Sequence, residues 1–463
     1  MESTHKINKM GVKPINKLLL SMGIPMIISM MLQAFYNIVD SLFVSGMPDT
    51  ATLTHVGEYG VNALTLAFPI QMLMVSIGVG TGVGVNALLS KNLGQGNREK
   101  ASLIAGNAVF LGICTYIVFL IFGLVGVDAF MSTQTSDPVV LQMGKDYLSI
   151  CCIWSFGTIV YLIYEKLLQS TGRSIQSTIA QIAGALSNII LDPIMIYGLL
   201  GFPALGIKGA AYATVIGQGI ALVVGFVLHT HYNKRDLNTS LLYIRPNLKA
   251  MKEIYSIGIP AIIMQSLTSF MTYGINIIFG TISSSVVTAY GVYFKIQQFI
   301  LFAAFGMNNA IIPIVGFNYG MRDKKRINDG IRYGMLYTLI IMGIGMILLQ
   351  LGAYQITDIF SLSDSTKALC VTAMIRIITL SYLFAGANVV YQGVFQSLGY
   401  GVHSLIISLI RMIIAALPLA YLFTLFANAE NTVWLAFPIS EALGFIAAAL
   451  FMRKIKKEKL ACM

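Results

Sequence analysis

The feature that most constrains this chain is that it repeats itself at an offset of about half its length. Ile24-Pro25-Met26-Ile27-Ile28, followed by Leu32 and Phe35, returns as Ile259-Pro260-Ala261-Ile262-Ile263, followed by Leu267 and Phe270. Val61, Ala63, Phe68, Ile70 and Gln71 return as Val287, Ala289, Phe294, Ile296 and Gln297. Asn92-Leu93-Gly94 matches Asn318-Tyr319-Gly320, and Asp128 with Phe130 matches Asp358 with Phe360. Tyr164, Gln169-Ser170 and Gly172 match Tyr391, Gln396-Ser397 and Gly399. The spacing stays between 226 and 235 residues across these echoes, so an entire half is duplicated.

The repeated half is apolar. Hydrophobic residues make up 56% of the 463 and charged residues 11%, against roughly 25% charged in a soluble domain. Such a chain needs lipid as its solvent, and a spanning helix needs about 20 apolar residues. Twelve segments qualify: 17–44, 56–88, 101–126, 144–168, 174–199, 209–231, 252–281, 286–316, 328–356, 366–397, 402–426 and 432–455. The expected fold is therefore an all-α integral membrane protein. Its twelve transmembrane helices form two six-helix bundles related by pseudo-twofold symmetry. Residues 1–231 form the first lobe, 232–250 a cytoplasmic linker and 251–463 the second lobe. Six helices per half put both lobes in one orientation, so the repeats are parallel. Lys6, Lys9, Lys13 and Lys17 precede the first segment like a signal peptide. The apolar stretch is too long for one, and it reads as a retained anchor.

The net charge of +11 reads as topology rather than nucleic-acid binding. With the N-terminus inside, the inner segments hold 24 of the 30 Lys and Arg, and the outer loops hold only Lys145, Lys208 and Lys367. This asymmetry predicts a multi-pass protein of the cell membrane with both termini cytoplasmic. Cys114, Cys151, Cys152, Cys370 and Cys462 fit no zinc or redox spacing and read as small buried hydrophobes. Asn238-Thr239-Ser240 matches a glycosylation pattern but falls in the cytoplasmic linker. Gly78, Gly80, Gly82 and Gly84 lack a following Lys-Ser/Thr, so they predict close helix packing rather than a phosphate loop.

Ionisable residues at membrane depth are functional candidates by default. On the first helix Gln33, Tyr36, Asn37 and Asp40 share one face, as do Gln181, Asn188 and Asp192 on the fifth. Both helices run outward, which places Asp40 and Asp192 at similar depth in the outer part of the first lobe. Thr214 and Gln218 on the sixth helix would add oxygens. Such an oxygen-rich pocket suits a hard cation such as Na⁺, with Asp40 and Asp192 as its charged ligands. Two carboxylates brought together away from water cannot both stay charged, so the same pair would also serve as a proton carrier. The second lobe carries Ile275 where the first has Asp40, and its seventh helix has no acid. It holds instead Lys295, Arg376, Arg411 and Glu441; Lys295 and Glu441 lie at equal depth, where they would form either a structural ion pair or part of the coupling machinery, in a polar network with Arg376. Glu165 and Lys166, near the inner end of their helix, are expected at the interface.

Pro25, Gln33 and Tyr36-Asn37-Ile38-Val39-Asp40, together with Asn188-Ile189-Ile190-Leu191-Asp192-Pro193, resemble a multidrug and toxic compound extrusion (MATE) transporter of the bacterial MepA-like branch. The resemblance extends through Lys91-Asn92-Leu93-Gly94-Gln95-Gly96-Asn97, its twin from Phe317 to Asp323, and Gly209-Ala210-Ala211-Tyr212-Ala213-Thr214. It implies a first-lobe cation site of Asp40, Asn188, Asp192 and Thr214. It also implies export of lipophilic, often cationic drugs by antiport with H⁺ or Na⁺ through alternating access, without a cofactor. A monomer in the bilayer, binding small-molecule drugs and no nucleic acid, is expected. The rival is a lipid-linked oligosaccharide flippase of a related fold, which would need an Arg- and Lys-rich cavity. An enzyme is not expected, because His5, His55, His229, His231 and His403 form no catalytic constellation.

Overall fold

A computed structural model describes residues 8–49, 53–240, 243–358 and 364–460; His5, Lys6, Phe360 and Cys462 lie outside the described residues. Every secondary-structure element among these is helical. The first-half helices are α1 (Ile15–Ser45), α2 (Val56–Gly94), α3 (Arg98–Val125), α4 (Pro138–Ile153), α5 (Phe156–Ser170), α6 (Ser174–Tyr197) and α7 (Ile207–Tyr232). The second half contributes α8 (Leu248–Gly280), α9 (Ser284–Gly320), α10 (Lys324–Asp358), α11 (Asp364–Ser397), α12 (Gly401–Leu409), α13 (Ala416–Thr424) and α14 (Ala436–Ile455). A π-helical turn, Ile410–Ile414, joins α12 to α13.

Ten helices among the described residues are long and apolar enough to cross a membrane, and α4 with α5, bent by 47°, would make an eleventh if the two are counted as one span. The break falls at Trp154 and Ser155, inside the expected segment 144–168. The remaining expected segment, 366–397, falls on the 34-residue α11.

Local chemistry sets the ends. Asp137 caps α4 by accepting from the backbone N–H groups of Val139 and Val140, with Pro138 in the first turn. Asn97 caps α3 through Lys100 N at 2.9 Å. The duplicated Gln-Ser-x-Gly stretches stop α5 and α11 in the same way. Gly172 and Gly399 adopt φ of +83° and +88°, a left-handed conformation that costs a glycine nothing.

The chain forms two compact units: Met1–Ile27, Ser90–Gly96 and Ser256–Met463 make one, and Ile28–Leu89 and Asn97–Tyr255 make the other. The first unit includes the N-terminal segment. Arg326 donates through Nη2 to the carbonyls of Met10 at 2.8 Å and Lys13 at 2.9 Å, and through Nε to Asn318 Oδ1 at 2.7 Å. Asn318 in turn donates to Met10 O at 3.2 Å. In the second unit the segment ahead of α8 is held in a comparable way. Arg98 donates to Lys234 O at 2.7 Å, Ser102 accepts from Asn238 N at 2.8 Å and Asn107 accepts from Asn247 N at 2.8 Å. Replacing Arg326 with Ala removes three charge-assisted donations at once. It should lower the cost of opening residues 8–13 by about 2 kcal/mol. Amide hydrogen exchange confined to that segment should speed up; unchanged protection would show that packing of Met10 alone holds it.

Close helix packing by small residues is realised at the glycine stripe of α2. A Cβ on Gly78 would lie 2.7 Å from Leu162 Cδ1, and one on Gly82 would lie 2.5 Å from Lys166 Cγ. Helices in lipid associate through such contacts rather than through exclusion of water.

Candidate functional site

The site in the second unit is built where α1, α6 and α7 meet. Gly184 and Gly217 let α6 and α7 approach until a Cβ on Gly217 would stand 2.8 Å from Gly184 O. That approach brings Asn188 of α6 to Thr214 of α7, with Asn188 Nδ2 3.5 Å from Thr214 Oγ1. Asn188 Nδ2 also donates to Asp192 Oδ1 at 3.3 Å, one turn along the same helix. The end of α1 is tied to α6 because Tyr197 donates its hydroxyl proton to Phe43 O at 2.6 Å. Asp40, one turn before Phe43, is thereby held within electrostatic reach of Asp192.

Both acids are buried: Asp192 is 0% exposed and Asp40 9%. Neither takes part in an ion pair among the described residues. Asp40 Oδ1, Asp192 Oδ2 and Asn188 Oδ1 are buried oxygens without a hydrogen-bond partner. A buried acceptor left without a donor costs on the order of 1–3 kcal/mol, and more if charged. Buried acceptors of this kind are what a cation or a proton would satisfy. Tyr36, one turn before Asp40, lies near Gln218 and both acids. The six residues singled out on these three helices, Tyr36, Asp40, Asn188, Asp192, Thr214 and Gln218, thus lie together. Gln181 lies two turns before Asn188, accepting from Tyr161 OH at 2.8 Å. No group of three His, Cys, Asp or Glu suited to a metal occurs among the described residues. A Na⁺ ion here would rely on the two carboxylates and neutral oxygens.

Three further residues complete the surroundings. Gln71 of α2 donates to Tyr147 OH at 3.2 Å and approaches Cys151 Sγ at 3.6 Å. Tyr147 and Cys151 of α4 sit within electrostatic reach of Asp40. The signal for Gln71 was present, since it is a polar residue in an apolar run that recurs as Gln297. Nothing in the sequence tied α4 to the site.

The other unit departs from expectation. Glu441 does not pair with Lys295, which is exposed and outside every ion pair of the described residues. Its partner is Arg411, whose Nε donates to Glu441 Oε1 at 2.9 Å. Asn388 Nδ2 donates to Glu441 Oε2 at 2.8 Å and to its backbone carbonyl at 3.0 Å. The reason is positional: the π turn projects Arg411 toward α14, where its side chain is 6% exposed. Arg376 lies on α11, with its side chain outside the described residues.

Glu165 and Lys166 are not interfacial. They are 7% and 3% exposed, and they satisfy each other through Gln169. Gln169 Nε2 donates to Glu165 at 2.8 Å while its Oε1 accepts from Lys166 at 3.0 Å. The absent side chain of Gly82 provides the room for the lysine stem.

A sequence profile of the MatE family matches residues 25–194 and 260–422, one stretch in each half. The chain belongs to the MatE family. It is therefore a multi-pass membrane transporter rather than an enzyme. The multidrug export protein MepA of Staphylococcus aureus (strain MRSA252) is 23% identical over 439 residues, 95% of this chain and 94% of that protein. MepA of Staphylococcus haemolyticus is 23% identical over 93% of this chain and 92% of its own length. Among solved MatE structures, one in a straight conformation superposes with a TM-score of 0.89 at 22% identity, covering all of both chains. An outward-facing multidrug-resistance transporter of the MOP superfamily superposes at 0.88, with 22% identity over 98% of this chain and 100% of that one. The all-α architecture of this MatE member is thus the one those transporters share.

Proposed function

We propose that this transporter exports lipophilic, often cationic compounds by antiport with H⁺ or Na⁺. Asp40, Asn188, Asp192 and Thr214 form the coupling site, with Tyr36 at its edge. The observation that carries this reading is the cluster of buried, unpartnered oxygens of Asp40, Asp192 and Asn188. The names of the MepA relatives support the drug-export half. In this reading the protein works as a monomer in the cell membrane, with both termini in the cytoplasm. The ion enters the acid pair from outside and favours the conformation that releases drug; each ligand shifts that balance only by its differential affinity for the two states. A flippase for anionic head groups would draw on Arg376 and Arg411; of these, Arg411 is paired with Glu441.

The test is efflux of ethidium from vesicles holding the full chain, with a proton gradient and a sodium gradient imposed separately. Efflux driven by one gradient and not the other is expected, and it names the ion. Membrane-inserted protein that moves no ethidium under either gradient refutes antiport of this substrate class.

A further inference from the structure

We propose that Glu441 is a binding point for a lipophilic cation in the unit formed with the second half of the chain, the cation taking the place that Arg411 holds in the structure. This rests on the reading above that the substrates are lipophilic cations. It assigns a residue to their recognition, separate from the Asp40–Asp192 pair.

Three observations meet at Glu441. The first is its exposure, since its side chain is 15% exposed while Arg411 is 6%. Part of the glutamate side chain thus lies at the surface of the unit. The second is an unmet acceptor. Asn388 is 0% exposed and donates to Glu441, yet its own Oδ1 has no partner. An arriving amine or guanidinium would find there a carbonyl oxygen beside the carboxylate. The third is an aromatic wall. Phe384 and Tyr391 lie one turn either side of Asn388 on α11, and Phe445 lies one turn beyond Glu441 on α14. The Phe445 ring stands 5.7 Å from Phe384 and 6.1 Å from Tyr391, and all three rings are partly exposed. An acid flanked by aromatic faces is the chemistry that recognises a flat or bulky organic cation, through charge and cation–π attraction together.

The π turn explains why Arg411 can yield. Ala415 N bonds to Ile410 O at 2.8 Å, five residues back, so one extra residue is packed into that turn. Such bulges occur frequently at functional sites. Recovery of α-helical spacing would rotate Arg411 off the carboxylate, which would then be open to a cation from outside the chain. Arg411 acts here as an internal stand-in for the substrate, and it keeps the buried acid paired when the site holds no drug.

The test is equilibrium binding of ethidium to the purified full-length protein in detergent, by fluorescence anisotropy and without any gradient. Glu441→Gln, Arg411→Gln and the neutral double variant are compared with the wild type. Glu441→Gln and the double variant should each bind about tenfold more weakly, which corresponds to ~1.4 kcal/mol. Arg411→Gln should bind more tightly, because the internal competitor is gone. Opposite signs for the two single variants are the signature of exchange. A merely structural pair would weaken binding in both single variants and recover it in the double. That outcome, or unchanged binding in the double, overturns the proposal. If the single variants do not fold, the double variant, which buries no lone charge, decides alone. The measurement is made without any gradient, so an error in the coupling assignment leaves it intact. Wild-type protein that neither binds nor exports ethidium refutes the substrate reading and this inference together.

Discussion

Asp40→Asn, and separately Asp192→Asn, should cut gradient-driven efflux sharply while leaving the protein in the membrane at normal levels. Each change is isosteric and keeps an acceptor oxygen, but it removes the charge that a proton or Na⁺ would answer. Coupling between two ligand sites is typically worth ~1–3 kcal/mol, so its loss should cost between about 5-fold and about 150-fold in transport. The same variants should not lose stability. Asp40 Oδ1 and Asp192 Oδ2 are buried without a partner, so neither charge is supporting the fold through a bond that the amide would break. Thermal unfolding at or above the wild-type temperature, combined with lost efflux, is the expected pairing. Normal export by either variant would show that this carboxylate does not couple. A large fall in unfolding temperature would instead make the acid structural.

The largest effect on stability is expected at Gly94 and Gly320. These twins of the Asn-x-Gly repeat cross at the ends of α2 and α9. A Cβ on Gly94 would sit 1.9 Å from Phe317 O, and one on Gly320 would sit 2.1 Å from Lys91 O. Both obstacles are backbone carbonyls on the facing helix, which cannot rotate away as a side chain can. Relief requires the helices to separate, which also draws Lys91 away from the Tyr319 ring it covers at 5.2 Å. Overpacking of this kind typically costs ~1–3 kcal/mol. Gly94→Ala and Gly320→Ala should fall at the upper end or fail to accumulate. Gly343→Ala on α10 is the control, since its Cβ would enter open space. It should be neutral or stabilising by up to about 1 kcal/mol. Equal melting of all three with the wild type would mean that the crossing is loose.

The repeat, the apolar spans and the acid pair were legible because each rests on a spacing that survives without coordinates. Tyr36, Asp40, Asn188 and Asp192 share helix faces by simple periodicity, and both acids lie at matched distances from helix ends. Glu441 shows where that reasoning stops. Depth in the membrane made Lys295 its natural partner, but depth says nothing about rotation about the helix axis. The π turn shifts the phase of every residue after Ile410, and no local sequence rule announced it. Glu165 and Lys166 failed for a complementary reason. Their place near a helix end suggested an interface, whereas the decisive feature was a missing side chain on another helix, at Gly82. Tyr147 and Cys151 were invisible because nothing in α4 distinguishes a face turned to Asp40 from one turned to lipid.

The allocation of segments has a genetic consequence. The stretch ahead of α1 is fastened to the unit made mostly by the second half, and the stretch ahead of α8 to the unit made by the first. Neither half-gene encodes a self-sufficient unit. Expressed alone, each product would lack the strap that closes its own corner. Expressed together as separate polypeptides, they would supply those straps to one another.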